Sequence, residues 1–328
     1  MGIIYGTGFE VGALPVAAAD YSAAGVAIST TKKKTGSYSV SLLPTGGDAW
    51  IRFPLPGSPT DVYLSAWFYP ASSGSGRIMA SVVDDAAGVV EVRLLADHWA
   101  AYVNGALVAT GTHTLDDLEA WHLLQVRFKI HDTDGKIQVV MDGHLDIDYT
   151  GDTKIAGGAH WDYFRLLNNT PSTATIYLDD LTIATGGWPG DINYEAIVPD
   201  GAGSVTQWTP SAGANWDCVE EVPPSDAEYV SAALDAKKDT YSLSAWTATA
   251  KRPVAVIVWL RAFLTAPGAE QVKHYLVAAG GDTSTGAAVS LDTTPLHYQN
   301  VVDLDPDTAL PWQAGAIAGI EVGQESEV

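Results

Sequence analysis

The residues of this sequence that come nearest to chemistry are carboxylates at alternate positions. Asp146 and Asp148 alternate in LDIDYTGD, with Asp152 just beyond. On a strand, alternate side chains share a face. Glycoside cleavage needs a pair of carboxyl groups, one to attack or activate water and one to give a proton. A strand built for that reads E-x-D-x-x-E or a near variant, and no Glu-x-Asp arrangement occurs here. An exposed strand face running into a turn is the plainer reading of LDIDYTGD. Asp132-Thr133-Asp134-Gly135 has the opening of a calcium loop, but the closing bidentate Glu is missing. A plain Asp-Gly turn accounts for it. The eight histidines show no H-E-x-x-H or other ligand spacing. His113 and His122 read as a surface and a strand-edge histidine. No G-x-S-x-G elbow is present, and GTGFEVG is neither G-x-G-x-x-G nor followed by a predicted helix. Cys218 is the single cysteine and has no recognisable catalytic partner, so it reads as a structural thiol.

The bulk properties exclude several classes. The 328 residues suit two domains, each with a core of its own. Formal net charge is −22, with −9 on residues 1–187 (11 basic, 20 acidic) and −13 on the rest (6 basic, 19 acidic). Neither part offers the basic face that a phosphate backbone needs, so no nucleic-acid partner is expected. The one basic run, Lys32-Lys33-Lys34, reads as a solvated turn. No apolar run approaches a bilayer span, so no membrane insertion is expected. MGIIYGTGFEVG lacks the basic and apolar regions of a secretory signal, and lacks the Ser or Thr of a myristoylation signal. A lone cysteine suits assembly in a reducing cytoplasm.

The elements that must hold these residues are short strands. In DVYLSAWFYPAS, Val62, Leu64, Ala66 and Phe68 alternate with Tyr63, Ser65, Trp67 and Tyr69. In VVEVRLL, Val90, Val92 and Leu94 face one way and Glu91 and Arg93 the other. Asn104-Gly105 and Asp142-Gly143 sit between strand patterns and predict two-residue hairpins. WHLLQVRFKI and KIQVVMD alternate cleanly, as in an antiparallel sheet with one wet face. TLDDLEAWH (114–122) has room for one helical turn. Turns every 8–12 residues point to a sandwich or barrel. In IYLDDLTI the alternation slips by one residue across Asp179-Asp180, which predicts a β-bulge. Gly186, Gly187, Pro189 and Gly190 then break the chain, and a hinge is expected there. Beyond it YSLSAW, PVAVIVWLRAFLTA, QVKHYLVAAG, HYQNVVDL and AIAGIEVG read as strands, the second covered on both faces, with GDTSTGAAVS a loop.

Of the eleven tryptophans, Trp67, Trp121, Trp246 and Trp259 lie in strand patterns and read as core. Trp99, Trp161, Trp188, Trp208, Trp216 and Trp312 lie near turns and are candidates for exposure, as core caps, subunit contacts or sugar platforms. In the loop Gln207–Trp216, the two tryptophans either form a lid on their own domain or anchor it to a neighbour.

The run VNG…WHLLQVRFKI…DGKIQVVMDG…IYLDDLTI resembles the laminin-G/concanavalin-like jelly roll, over about residues 1–186. That resemblance implies two curved antiparallel sheets packed face to face. Relatives on this fold include lectins, glucanases, adhesion modules and virion proteins. Some bind calcium at the rim, which makes Asp142, Asp146 and Asp179 calcium candidates by resemblance; no other cofactor is expected. GDINYEAIVPDGAGSVTQWTPSAGANWDCVEEVPPSDAEYVSA, with LDPDTALPWQAGAIAGIEVG, is similar to a segment of tailed-bacteriophage structural proteins, over about residues 187–328.

The expectation is therefore an all-β protein of two antiparallel β-sandwich domains. Residues 1–187 form a concanavalin/laminin-G-like jelly roll and residues 188–328 a second sandwich. The resemblance implies a non-enzymatic structural protein of a tailed-bacteriophage virion. It would sit on the tail, as a fibre or tail-associated protein, or on the capsid surface as decoration, after assembly in the host cytoplasm. Its partners would be other virion proteins, further copies of itself as a homo-oligomer, and a host surface glycan. Trp208, Trp216, Trp188 and Trp312 are the interface candidates. The alternative is a carbohydrate-binding, lectin-like module, and after it a glycoside hydrolase on the same fold.

Overall fold

The computed structural model describes residues 1–14, 20–71, 78–84, 88–95, 98–115, 117, 119–155, 157–169, 174–248, 251–265 and 270–327. The helical turn expected over 114–122 falls partly on residues 116 and 118, outside this set. The chain forms two compact units, Met1–Glu10 with Val16–Tyr194, and Val11–Pro15 with Glu195–Val328.

Among the described residues the first unit holds fourteen strands. These are β1 (Gly2–Thr7), β2 (Val26–Ser29), β3 (Ser39–Leu42), β4 (Ala49–Pro54), β5 (Asp61–Pro70), β6 (Ile78–Asp84) and β7 (Gly88–Leu95). The rest are β8 (His98–Val103), β9 (Ala106–Thr110), β10 (His122–Lys129), β11 (Gly135–Met141), β12 (His144–Gly151), β13 (Tyr163–Asn168) and β14 (Ile176–Thr185). One antiparallel sheet runs β12-β11-β10-β5-β14-β3-β2, with β1 also on β14. The other runs β4-β13-β6-β7-β8-β9. The alternation read from sequence decides which side chains go between them. Val62, Leu64, Phe68, Val126 and Phe128 come from the first sheet, and Ile51, Phe53, Val90, Val92 and Phe164 from the second, all fully buried. Phe128 meets Phe164 and Phe68 meets Trp99 across this core, at centroid distances of 6.0 and 6.2 Å. A fully buried side chain of this kind contributes roughly 1.5–3 kcal/mol. The hairpin turns form as expected: Asn104 and Gly105, and Asp142 and Gly143, all have positive φ. The slip at Asp179-Asp180 is a bulge. Asp179 pairs with Trp67 but the next partner of β5 is Thr182, and Asp180 takes a φ of 46°.

The expected break at Gly186–Gly190 exists as a turn, with positive φ at both of those glycines. The unit boundary nevertheless falls at Tyr194/Glu195 rather than 187/188. The reason is hydrogen bonding: residues 188–194 run back over β5, where Ser65 Oγ donates to Gly190 O (2.6 Å) and Trp67 Nε1 to Asp191 (2.9 Å).

The second unit contains β15 (Pro199–Thr206), β16 (Thr209–Pro210), β17 (Val230–Ser231), β18 (Lys238–Leu243), β19 (Val256–Ala262) and β20 (Gln271–Val277). It continues with β21 (Thr283–Thr285), β22 (Val289–Ser290), β23 (Leu296–Val302), β24 (Leu304–Asp305), β25 (Leu310–Pro311) and β26 (Glu321–Glu327). Its main sheet runs β15-β18-β26-β20-β21, with β22 also on β20, and the β19–β23 ribbon packs over it. Three expectations change here. GDTSTGAAVS supplies β21 and β22, pairings too short to leave a periodic pattern. PVAVIVWLRAFLTA is not covered on both faces: among the described residues β19 pairs only with β23, and of β19 only Val258 is buried. In AIAGIEVG the strand starts at Glu321, after a 3-10 turn at Ala314–Ala316.

Candidate functional site

The carboxylates flagged in the sequence do not assemble. Asp146 and Asp148 lie on β12, but the β11–β12 register shifts beside Leu145–Ile147 and splits them. Asp146 turns toward the 112–113 backbone and accepts both N–H groups at 2.7 Å, while Asp148 accepts Gln138 Nε2 on the sheet face. The alternate spacing therefore does not produce a facing pair. Asp142 accepts the Leu123 N–H and pairs with His122 Nδ1, each at 2.8 Å. Asp179 lies on β14, four strands from β12 and roughly 19 Å away at the usual strand spacing. The three calcium candidates are thus each held locally, Asp146 through Oδ1 with its Oδ2 buried and unpartnered, and are not brought together. Among the described residues no group of three or more His, Cys, Asp or Glu converges for a metal ion.

The interface candidates divide. Trp312 is fully buried in the second unit's core, with Nε1 donating to Val302 O at 2.7 Å, so it presents no surface. Trp188 is exposed and meets Tyr63 edge-on at 5.2 Å. Trp208 is half-buried and gives its indole N–H to Lys237 O at 2.9 Å. Trp216, also half-buried, opens a 3-10 turn, and Asn215 before it donates to Trp208 O and to Asp239. Asp239 also accepts the N–H groups of Gln207 and Trp208, so the whole loop is tied to β18. The assignment of tryptophans by turn proximity also fails in the first unit. Trp99 and Trp161 are core, while Trp67 and Trp121 are only half-buried. Trp67 had alternated with the buried Ala66 and Phe68, which already put it on the outward face.

The outward face of the β4–β9 sheet carries a constellation that no motif announced. Register places Arg52 (β4), Arg165 (β13), Ser81 (β6), Glu91 (β7) and Tyr102 (β8) in one row across five strands. At the usual strand spacing the row is roughly 19 Å long. Arg93, two residues along β7, donates to Glu91 through Nε at 3.0 Å and also through Nη2, and stacks over Tyr102 at 4.2 Å. Arg52 donates to Asp20 at 2.7 Å and lies over Tyr163 at 4.6 Å, with Trp50 beside it at 5.8 Å. Arg165 donates to Ser81 Oγ at 3.2 Å. Glu91 is 3% exposed, an ionisable side chain sunk into the face and held there by a guanidinium. A planar set of fixed donors, one held acceptor and flat aromatic surfaces can orient a polyhydroxylated ligand by hydrogen bonds while its apolar faces pack on the rings.

The opposite outward face is covered around the β14 bulge. Ser65, Asp179 and Thr182 point outward by register, yet all three are buried. Lys34 N donates to Asp179 at 2.7 Å, Thr35 Oγ1 donates to Asp180 at 2.9 Å, and Tyr194 N donates to Asp180 at 3.2 Å. The Lys32–Thr35 turn and the 191–194 tail are pinned to the bulge in this way. Burial raises Asp179 to about 7, with the neighbouring Asp180 charge adding to it. Burial likewise raises Asp180 to about 6. The Lys32-Lys33-Lys34 turn is solvated but not idle: Lys34 Nζ lies over the Trp67 ring at 3.6 Å and Lys32 Nζ over Tyr69 at 4.7 Å.

No protein-family model matches the sequence, and no curated protein matches it. Solved structures do align with it. A protein with a galectin-like fold from Bacillus subtilis aligns at TM-score 0.40 and 12% identity, covering 56% of this chain and 96% of its own. The carbohydrate-binding module CBM66 from the same organism aligns at TM-score 0.35 and 15% identity, over 51% of this chain and 96% of its own. A sialidase aligns at TM-score 0.39 and 10% identity over 50% of this chain, which spans 17% of that sialidase's length. The chain is all-β, with antiparallel sheets packed as sandwiches.

Proposed function

We propose that this protein binds carbohydrate through the outward face of the β4–β9 sheet, without turning it over. The observation that supports this is the Arg52–Arg165–Ser81–Glu91–Tyr102 row, with Arg93 holding Glu91. Binding without turnover rests on the same row. A glycosidase sets its two carboxyl groups about 5–9.5 Å apart. Glu91 is committed to Arg93, and among the described residues the next carboxylate bonded to the row, Asp20 beside Arg52, lies three strands away, roughly 14 Å. The test is a glycan array probed with the whole chain, followed by titration of the best ligand. Tyr102→Ala should weaken binding at least tenfold and leave the melting temperature within about 2 °C. Unchanged affinity in a Glu91→Gln/Tyr102→Ala double variant would place the site elsewhere. Release of reducing ends from a bound polysaccharide would overturn the non-enzymatic part.

A second reading concerns setting, and one observation favours it. The β24–β25 ribbon leaves Leu304 and Leu310 exposed at 47% and 63%. Apolar side chains on an exposed ribbon fit a subunit that packs against neighbours. We propose on this ground, and on the resemblance of residues 187–328, that the chain works as a multi-copy structural protein of a tailed-bacteriophage virion. Sedimentation of wild type and Leu304→Asp/Leu310→Asp tests it: a monomer in both, with no retention on purified particles, counts against it.

A further inference from the structure

We infer that the saccharide taken by the β4–β9 face carries a carboxylate, and that Arg165 receives it. This rests on the glycan-binding reading of that face. Among the described residues three guanidiniums stand there, and their states differ. Arg52 is neutralised by Asp20 at 2.7 Å. Arg93 is neutralised by Glu91. Arg165 gives its Nε to the neutral Ser81 Oγ at 3.2 Å, and among the described residues its terminal nitrogens meet no carboxylate. Ser81 is itself buried, and its Oγ also reaches Arg165 O at 3.4 Å, so this contact fixes the guanidinium from behind. A half-buried guanidinium with its fork open is a costly arrangement in isolation, because its donors are only partly met.

Position adds to this. Arg165 sits near the middle of the row, one strand from Arg52 and two from Glu91. Tyr163 stands two residues along β13 from Arg165, beneath Arg52, and Tyr102 stands three strands along the row, beneath Arg93. A ligand lying along the row would therefore bring one substituent over Arg165 while its two ends meet Arg52 and the Glu91–Arg93–Tyr102 group. The planar fork matches two oxygens in a plane, which is the geometry of a carboxylate. The chain as a whole, at −22, repels anions at long range. One open guanidinium on this face then selects a singly charged sugar acid, as in uronate- or sialate-containing oligosaccharides, over a densely charged polyanion.

The experiment uses the whole chain and matched pairs of oligosaccharides. Each uronate- or sialate-containing member is set beside its carboxyl-reduced, neutral form, and a sulfated oligosaccharide is included. Wild type should prefer a carboxylated member to its reduced form by tenfold or more. Arg165→Met should remove that preference, and Arg165→Lys should keep part of it, with unchanged melting temperatures as the folding control. Equal binding of the reduced form, a preference for the sulfated ligand, or a preference that survives Arg165→Met overturns the assignment while leaving the face as a glycan site. No binding to any member by wild type, on these pairs and on the array, overturns the reading of the face itself.

Discussion

The two outward faces of the jelly roll are built from the same alternation and end in opposite states. On the β5–β14 side, the outward polar residues around the bulge are used up by the chain itself. Ser65, Trp67, Asp179 and Asp180 all bond to the Lys32–Thr35 turn or the 190–194 tail. On the β4–β9 side, outward residues bond mainly to one another, through Arg93–Glu91, Arg165–Ser81 and Arg52–Asp20. The first face closes the fold, and the second holds polar groups in place mainly through one another, with Asp20 the partner brought to Arg52 from outside the sheet among the described residues. The difference teaches that polarity alone does not mark a site. Buried carboxylates occur on both faces, and what they are bonded to separates support from recognition.

That contrast breaks most visibly at Asp180. Asp180→Ala removes the acceptor of Thr35 Oγ1 and Tyr194 N and leaves both donors short of a partner. The expected cost is about 3 kcal/mol, or roughly 6–12 °C in melting temperature for a unit of this size. Glycan affinity of the folded protein should not change. A stable variant that no longer binds would mean the supporting face is the recognising one.

The pH response sharpens the same contrast. Asp179 and Asp180 have folded values of about 7 and about 6, above the ordinary carboxylate value of 3.8. The native state then binds more protons than the unfolded chain between about pH 4 and 7. Their contribution is fully present below about pH 4 and is lost as pH rises through 6 to 7. Calorimetry from pH 5 to pH 8 should show the first unit's transition falling by several degrees, relative to Asp179→Asn/Asp180→Asn. Parallel curves for the two proteins would show that the pair does not titrate in this range.

On the recognising face, Glu91→Gln keeps the shape and removes the charge that holds Arg93. Binding should weaken about tenfold, near 1.4 kcal/mol, with a melting shift under about 2 °C. A large stability loss with intact affinity would make Glu91 a supporting residue like Asp180.

The sequence made the local half of this legible. The slip at Asp179-Asp180, the Asn104-Gly105 and Asp142-Gly143 hairpins, and the outward placement of Glu91 and Arg93 all follow from period-two patterns over a few residues. What it hid was adjacency. Arg52, Arg165 and Ser81 become neighbours because β13 inserts between β4 and β6, strands far away along the chain. No local periodicity encodes that pairing. Conversely, Asp146 and Asp148 looked like a facing pair, and a bulge that leaves no mark in LDIDYTGD separates them. Trp312 lay near a turn and is nonetheless core, because the turn residues themselves close the second unit's apolar cluster.

The smallest expected effect is the most discriminating. The β5–β14 side does keep an aromatic strip: Tyr69 meets Trp121 at 5.6 Å and Tyr177 at 6.1 Å, with Lys32 and Lys34 over Tyr69 and Trp67. A strip of rings fringed by lysines is itself a surface on which sugars can stack, so it is the rival to the arginine row. Lys34→Ala removes the ammonium from Trp67 but keeps the backbone N–H that Asp179 accepts. If the lysine only fastens the turn, stability should fall by about 0.5–1 kcal/mol, the scale of an exposed cation–π contact, and glycan affinity should stay constant. If the strip is the platform, uncovering Trp67 should change affinity more than stability, and Trp121→Ala should abolish binding. Titrating both variants beside Tyr102→Ala decides between the faces. Lost binding in Trp121→Ala with retained binding in Tyr102→Ala would move the site to the β5–β14 side and leave the arginine row as a structural brace.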